Sequence, residues 1–410
     1  MRESPTLQLA DDPARRRYIA FINWAHAMDH LVMLIYPTVV IGLGAVYATS
    51  YAELIALSTA SFAAFGIFSL PAGWLADHWS RRNMMAAFWF GCGAALLAAG
   101  LAPNLVMLAV ALFALGVAAA IYHPVGMAML IEASQARGRT LAFNGVCGNI
   151  GAALAAGIAA TLTWAFGWRW AFIVPAAVCI ASGILYLRMV EDDRHQTATR
   201  QSTPAVPLTT RRAAVLFGLF MIVALSAGLT FNIISVAVPK IVDERLGNDV
   251  NLLAVGGLAT AVFLCGAGAQ LAVGRLVERI PAHILLPVVV ALQVIGVVWA
   301  ANTSGSTLLV ALAVAMAAIY GQVTVTDIVI ARYTADAWRG RVYAVRYFLT
   351  FVTAGAAVAA IAFFYARGGF DLVLAATAAV AASFFLATVA IAVLVSGAEA
   401  RHGRAAQPAE

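Results

Sequence analysis

The chain has 410 residues, 63% hydrophobic and 11% charged, with mean hydropathy +0.90. A water-soluble protein of this length cannot bury that much apolar surface, so lipid is the solvent for most of it. The net charge of +6 does not signal nucleic acid as a partner, because the basic residues sit in short loops between apolar runs and form no stripe.

The start, Met1–Arg17, is polar and ends in Arg15-Arg16-Arg17. No small-residue cleavage site follows a short apolar core, so the first apolar run is expected to stay as a helix. A bilayer span takes about 20 apolar residues. By that ruler there are twelve runs, at 19–41, 53–76, 84–102, 105–131, 140–163, 169–188, 213–238, 252–277, 283–301, 306–331, 341–366 and 370–396. Ala102-Pro103-Asn104, Phe166-Gly167 and Arg367-Gly368-Gly369 are turn signals between neighbouring runs.

The first run is the unusual one. Phe21–Val40 is apolar enough to span, yet His26, Asp29 and His30 lie near its middle. An ionisable group at that depth costs about 2.5–3.5 kcal/mol or more, so this face is expected to meet a watery cavity rather than lipid. His26 and His30 are four apart and share a helix face; Asn23 extends the stripe and Asp29 flanks it. In the fourth run, His123 falls at a depth similar to that of His26, each roughly 10–12 Å from the cytoplasmic end by helical rise. Pro124 frees the carbonyl of Ala120 and is expected to kink the run there. Dense small residues, such as Gly151–Ala160 and Ala354–Ala362, read as tight helix packing. Trp164, Trp168 and Trp170 read as an interfacial aromatic belt. The cysteines Cys92, Cys147, Cys179 and Cys265 all lie in apolar runs and read as packing residues.

With twelve spans, Arg15–Arg17, Arg81, Arg82, Arg137, Arg139, Arg188, Arg211, Arg212, Arg275, Arg279, Arg339, Arg341, Arg401 and Arg404 share one side. Arg169, Lys240, Arg245 and Arg367 share the other. The positive-inside rule then puts both termini in the cytoplasm. Residues 1–190 make one six-helix half, 191–212 a cytoplasmic linker, 213–396 the second half and 397–410 a tail. The halves carry a weak repeat: Tyr36-Pro37 against Val238-Pro239, Ile121-Tyr122 against Ile319-Tyr320, and Arg137-Gly138-Arg139 against Arg339-Gly340-Arg341.

After the second run comes Gly73-Trp74-Leu75-Ala76-Asp77-His78-Trp79-Ser80-Arg81-Arg82. It resembles the G-x-L-A-D-x-x-G-R-R signature of the major facilitator superfamily, with Ser80 in place of the second glycine. Gly274-Arg275-Leu276-Val277-Glu278-Arg279 is a degraded second copy. Gly73 is expected to allow close helix approach, Asp77 to accept from backbone N–H groups at a helix end, and Arg81 and Arg82 to anchor the loop. Three further strings are similar to the fosmidomycin-resistance exporters: Ala25–Pro37, Tyr122-His123-Pro124 and Gly148-Asn149-Ile150-Gly151. His30 departs from that pattern, and the proline-ended helix-five signature of common drug–proton antiporters is absent.

The resemblance implies an all-α fold of twelve transmembrane helices in two pseudo-symmetric halves, with the first, fourth, seventh and tenth helices around a cavity. It also implies alternating access and proton-driven export of a small polar or anionic molecule or drug, with a monomer as the family default and a bacterial-type inner membrane as the location. Partners are then a small-molecule or ion substrate, protons and the bilayer, with no nucleic acid; no cofactor is called for. Asp29, His26, His30 and His123 are the proton-coupling candidates. Loading a proton would remove the charge on Asp29 and let the cavity reseal. The structural alternative is a staple between the first and fourth helices. Asn23, Tyr36, Tyr122, Asn149, Asn232, Tyr320, Gln322, Asp327 and Arg346 are the substrate-binding candidates. Asp327 and Arg346 sit at similar depth, as a gate or a permanent pair, and Arg346 would also suit an anion.

Two other readings remain open at this point. His26, Asp29, His30 and His123 would also ligate a divalent metal such as iron as cargo. A membrane-embedded enzyme using H-x-x-D-H is the remote alternative. ATP-driven transport is disfavoured, since the chain has no G-x-x-x-x-G-K-[ST] loop.

Overall fold

The computed structural model describes residues 13–134, 137–191, 208–246 and 250–405. Most of the expected linker, the outer part of the tail and the side chains of Arg137, Arg139 and Arg339 lie outside what is described. Eleven stretches are long and apolar enough to cross a membrane: α1 (Pro13–Tyr47), α2 (Tyr51–His78), α3 (Arg81–Gly100), α4 (Leu105–Ala133), α5 (Thr140–Phe166), α6 (Trp170–Met189), α7 (Thr210–Arg245), α8 (Leu252–Leu276), α9 (Ala282–Ala301), α10 (Gly305–Tyr333) and a long last one, Arg341–Gly397. The last stretch holds two helices. Gly368 (φ −164°, ψ 25°) and Gly369 (φ 57°, ψ −155°) break the continuous assignment of Asp336–Ala405 into α11 (336–367) and α12 (370–405). Gly369 is left-handed, where a side chain would be strained. Among the described residues there are thus twelve membrane-length helices and no strand.

Polar residues between apolar runs start the helices. Ser80 accepts from the backbone N–H of Asn83 at 3.2 Å to begin α3, and Asn104 from Met107 at 2.9 Å to begin α4. Asn251 does the same for Ala254 at 2.9 Å in α8. These side chains satisfy N–H groups that a helix start leaves unpaired. Ser80 therefore does an N-cap's work at its place in the loop signature.

Prolines break some helices and not others: α2 and α6 run on through Pro71 and Pro175. α1 breaks at Ile35, ahead of Tyr36-Pro37, into Pro13–Leu34 and Tyr36–Tyr47. α4 breaks at Ala120-Ile121, ahead of His123-Pro124, into Leu105–Ala119 and Tyr122–Ala133. The expected kink at Ala120 is therefore present. α7, in contrast, runs unbroken through Pro239 to Arg245, beyond the sequence-based end at residue 238. Its last turn is held by Lys240, which pairs with Asp243 at 2.6 Å and Glu244 at 3.4 Å.

The helices gather into two compact units. One comprises Met1–Thr49 and Leu57–Thr199; the other comprises Ser50–Ala56 and Arg200–Glu410. In the first, α1 packs along α5, and α3 along α6. In the second, α7 packs along the long last stretch, and α8 and α9 along α10. A core of Phe220, Leu286, Val289, Val329, Tyr333, Phe384 and their neighbours fills the second unit.

Candidate functional site

Two glycines set how closely α1 and α5 meet. A Cβ at Gly151 would lie 1.9 Å from the carbonyl oxygen of Ala27, and one at Gly148 would lie 2.7 Å from the ring of His26. The His26 ring thus occupies space that any other residue at position 148 would take. It stacks on Tyr122 of α4 at 4.8 Å between centroids.

His26, Asp29, His30 and His123 come together, as their spacing predicts. The His26 and His30 Nε2 atoms are 3.2 Å apart. The His123 ring is 5.4 Å from that of His26 and 5.7 Å from that of His30, and Phe65 packs against it at 5.7 Å. Asp29 is 1% exposed, and its Oδ2 lies 3.4 Å from His123 Nε2. No shorter polar contact reaches this carboxylate among the described residues.

The hydrogen bonds assign the protons. His26 Nδ1 is 2.7 Å from the Asn144 carbonyl. A carbonyl only accepts, so Nδ1 carries a hydrogen and donates it. In a neutral His26 the Nε2 atom is then the acceptor, and His30 Nε2–H donates to it. The Asp29–His123 contact can join a neutral ring N–H to a carboxylate, and one added proton makes it an imidazolium–carboxylate or ring–acid pair with no net charge. One proton separates the net charge of a loaded and an unloaded cluster.

Asn144 is the residue that the sequence did not single out. Its Nδ2 donates to Asn23 Oδ1 at 2.9 Å and to Tyr122 Oη at 2.9 Å. Its carbonyl holds His26, and the residue is 1% exposed. One asparagine therefore links Asn23, Tyr122 and His26. An amide inside a span, about one turn from its start, was the available signal, and the repeat sets it opposite Arg346.

Ring nitrogens of His26, His30 and His123 all lie within 4.8 Å of one another. The 3.2 Å separation of His26 and His30 is close to the roughly 3.3 Å between ligands in a tetrahedral site with about 2.0 Å bonds. These three rings are the residues that could hold a divalent cation, with Asp29 orienting His123 from behind.

The other candidates are scattered. Tyr36 is buried beyond the bend in α1, and Asn149 is half-buried beside Gly148. Asn232 donates to Gly228 O at 2.8 Å, within its own helix. Gln322 is likewise held inside α10, donating to Ile319 O at 3.2 Å and accepting from Thr326 at 2.9 Å. Tyr320 is buried and stacks on Phe231 at 5.7 Å. Asp327 and Arg346 do pair, Arg346 also lies over Tyr347 at 5.0 Å, and Tyr343 Oη donates to the Asp327 carbonyl at 2.7 Å.

In the loop signature, a Cβ at Gly73 would sit 3.1 Å from Pro124 Cβ, so the expected close approach is made against α4. Asp77 differs from expectation. Its described partner is the side chain of Arg81 at 2.7 Å, one turn on, rather than a helix-end N–H. Arg81 also pairs with Glu132 at the end of α4. Arg82 donates to the Leu187 carbonyl at 2.6 Å and to that of Val190, at the end of α6.

Comparisons with known proteins agree with this architecture. Residues 20–297 match the family model described as Major Facilitator Superfamily. The chain belongs to that superfamily, and it is an integral membrane protein. It is 29% identical over 225 residues to the lincomycin resistance protein of Streptomyces lincolnensis, which covers 53% of this chain and 40% of that relative's length. It also resembles in fold a bacterial homologue of the human lysosomal transporter Spinster, solved inward-facing. The unoccupied form gives TM-score 0.70 at 15% identity over 95% of this chain and 96% of that one. The occupied form gives TM-score 0.69 at 14% identity over 97% and 100%.

Proposed function

We propose that the chain is a secondary active exporter that moves a small molecule out of the cell against protons by alternating access of residues 1–190 and 213–396. The observation that carries the reading is Asp29, buried at mid-span with one histidine at 3.4 Å. A lone carboxylate there is costly unless it exchanges its charge during a cycle. Protonation of the Asp29–His123 pair neutralises the carboxylate, and His26 and His30 extend the path of the proton. Antibiotic resistance in the S. lincolnensis relative supports outward movement of a drug-like substrate. The Asp327–Arg346 pair acts as the conformational lock of the second half. Both termini face the cytoplasm of a bacterial-type inner membrane, as the arginine distribution argues, and the working unit is a monomer.

The test is proton flux in proteoliposomes under an imposed pH gradient, with a panel of phosphonates, organic anions, cationic drugs and divalent iron, cobalt and zinc. Wild type should collapse the gradient in the presence of its substrate. Asp29→Asn, which keeps the shape and removes the charge, should abolish coupled movement and leave the protein folded. Unchanged pH dependence in Asp29→Asn overturns the assignment. Metal uptake without proton movement would transfer the histidine cluster to cargo binding.

A further inference from the structure

A cavity of about 700 Å³ runs along the seam of α1 and α5, lined by Arg16, Asn23, Trp24, Phe143 and Cys147 among others. That volume suits a drug-sized ligand held by apolar walls and a few polar groups. On α1 the lining extends from Arg16 to Ala27, and on α5 from Thr140 to Ile150. These spans are about 15–17 Å long by helical rise. The groove ends where Gly151 lets α5 touch Ala27.

Its chemistry is graded along that length. Trp24 and Phe143 are large exposed aromatics, at 43% and 59%. Trp24 is fixed by its Nε1–H bond to Ser182 at 2.9 Å. Asn23 and Thr140 add polar atoms on the wall, and Arg16 stands at the end. No acidic side chain is among the described residues that line it. Asn23 meanwhile accepts from Asn144, whose carbonyl holds His26. A ligand in the groove is therefore two hydrogen bonds from the histidine cluster.

We infer that this groove is a substrate-binding site for a lipophilic, aromatic molecule carrying one anionic group, which lies on Trp24 and Phe143 with its anion at Arg16. The inference rests on the exporter reading and names its substrate class: an apolar body rather than a small polar solute. Asn144 is the positioning residue through which occupancy of Asn23 reaches His26.

Cys147 provides the readout. Cys92 and Cys179 are buried, and Cys265 is exposed in the other unit. In full-length Cys265→Ser in proteoliposomes, maleimide labelling then reports Cys147. The probes are naphthylacetate, naphthylacetamide and naphthylethylamine, which share a ring system and differ in charge. At about ten times its Kd, naphthylacetate should slow labelling roughly tenfold. It should act at about one-tenth the concentration the amide needs, with the amine weaker still. Arg16→Gln should erase the preference for the carboxylate, and Arg16→Lys should restore most of it. Protection by no probe overturns the site; equal protection by acid and amine overturns the anionic class. Protection by naphthylacetate in a parent protein that shows no substrate-coupled proton movement would sink the exporter reading and leave the groove standing.

Discussion

Gly148 and Gly151 are three apart on α5 and face the same helix, yet substitution at the two should read differently. At Gly151 a methyl would meet the backbone of Ala27, with its carbonyl oxygen at 1.9 Å and its Cα at 2.7 Å. Backbone cannot step aside, so α1 and α5 must separate. Gly151→Ala should lose about 1–3 kcal/mol, the usual cost of overpacking, seen as a lower unfolding temperature in detergent. At Gly148 the methyl would meet the His26 ring. A side chain can swing away, so Gly148→Ala should cost less stability but break the His26–His30 contact and impair proton coupling. Gly274→Ala is the control, since nothing lies within 4 Å of its added methyl. Equal unfolding temperatures for Gly151→Ala and Gly274→Ala would refute the close-packing account. The sequence made part of this site readable. Histidines four apart on one helix have to share a face, so His26 and His30 were legible as a pair, and matching depth brought in His123. Asn144 was not legible, because its role depends on which face of α5 turns toward α1 and α4, and a small-residue-rich helix has no apolar stripe to show it.

At the scale of the element, arginine closes helix ends. Arg82 closes the end of α6 on the Leu187 and Val190 carbonyls, and Arg15 reaches the Ala133 carbonyl at the end of α4. Arg245 does the same for α9 through the carbonyls of Ala300 at 3.0 Å and Ala301 at 3.1 Å. The last carbonyls of a helix have no partner within it, and they carry the negative end of its dipole. A guanidinium satisfies both needs, and its fork spans two carbonyls where an ammonium is a single point. Arg82→Gln should therefore cost about 1–2 kcal/mol, discounted for its partial exposure, with Arg82→Lys recovering only part. Thermal unfolding in detergent checks the order; a lysine variant equal to wild type would show that charge alone matters. Sequence placed these arginines correctly at helix ends but could not say which helix each one caps, because every cap here reaches a different helix. The prolines carry the same lesson. A proline frees a carbonyl wherever it falls, yet α4 breaks near Pro124 while α7 continues through Pro239. What the neighbours offer the freed group decides the outcome, and the one-dimensional pattern does not contain it.

For the whole molecule, the side on which the tail emerges depends on two glycines. Arg341–Gly397 is 57 residues of apolar helix, about 85 Å if straight, against a hydrocarbon core of about 30 Å. It must turn, and Gly368-Gly369 is where the backbone leaves helical geometry. One break makes twelve helices, an even number that returns the tail to the side of the start. Arginine placement agrees with that count, because twelve spans leave only Arg169, Lys240, Arg245 and Arg367 on the far side. In a cysteine-free background, Pro103→Cys and Ser304→Cys lie in exposed turns after α3 and α9. Both should react in intact cells with a maleimide that cannot cross the membrane. His78→Cys, exposed at the end of α2, should react only after the membrane is opened. Labelling of His78→Cys from outside would invert the topology, and labelling of Pro103→Cys and Ser304→Cys from opposite sides would break the parity between the halves. In the expected pattern, Arg16 stands at the cytoplasmic mouth of the α1–α5 groove. An exporter needs its ligand to enter from that side, so the topology measurement also tests whether the groove opens where a substrate would arrive.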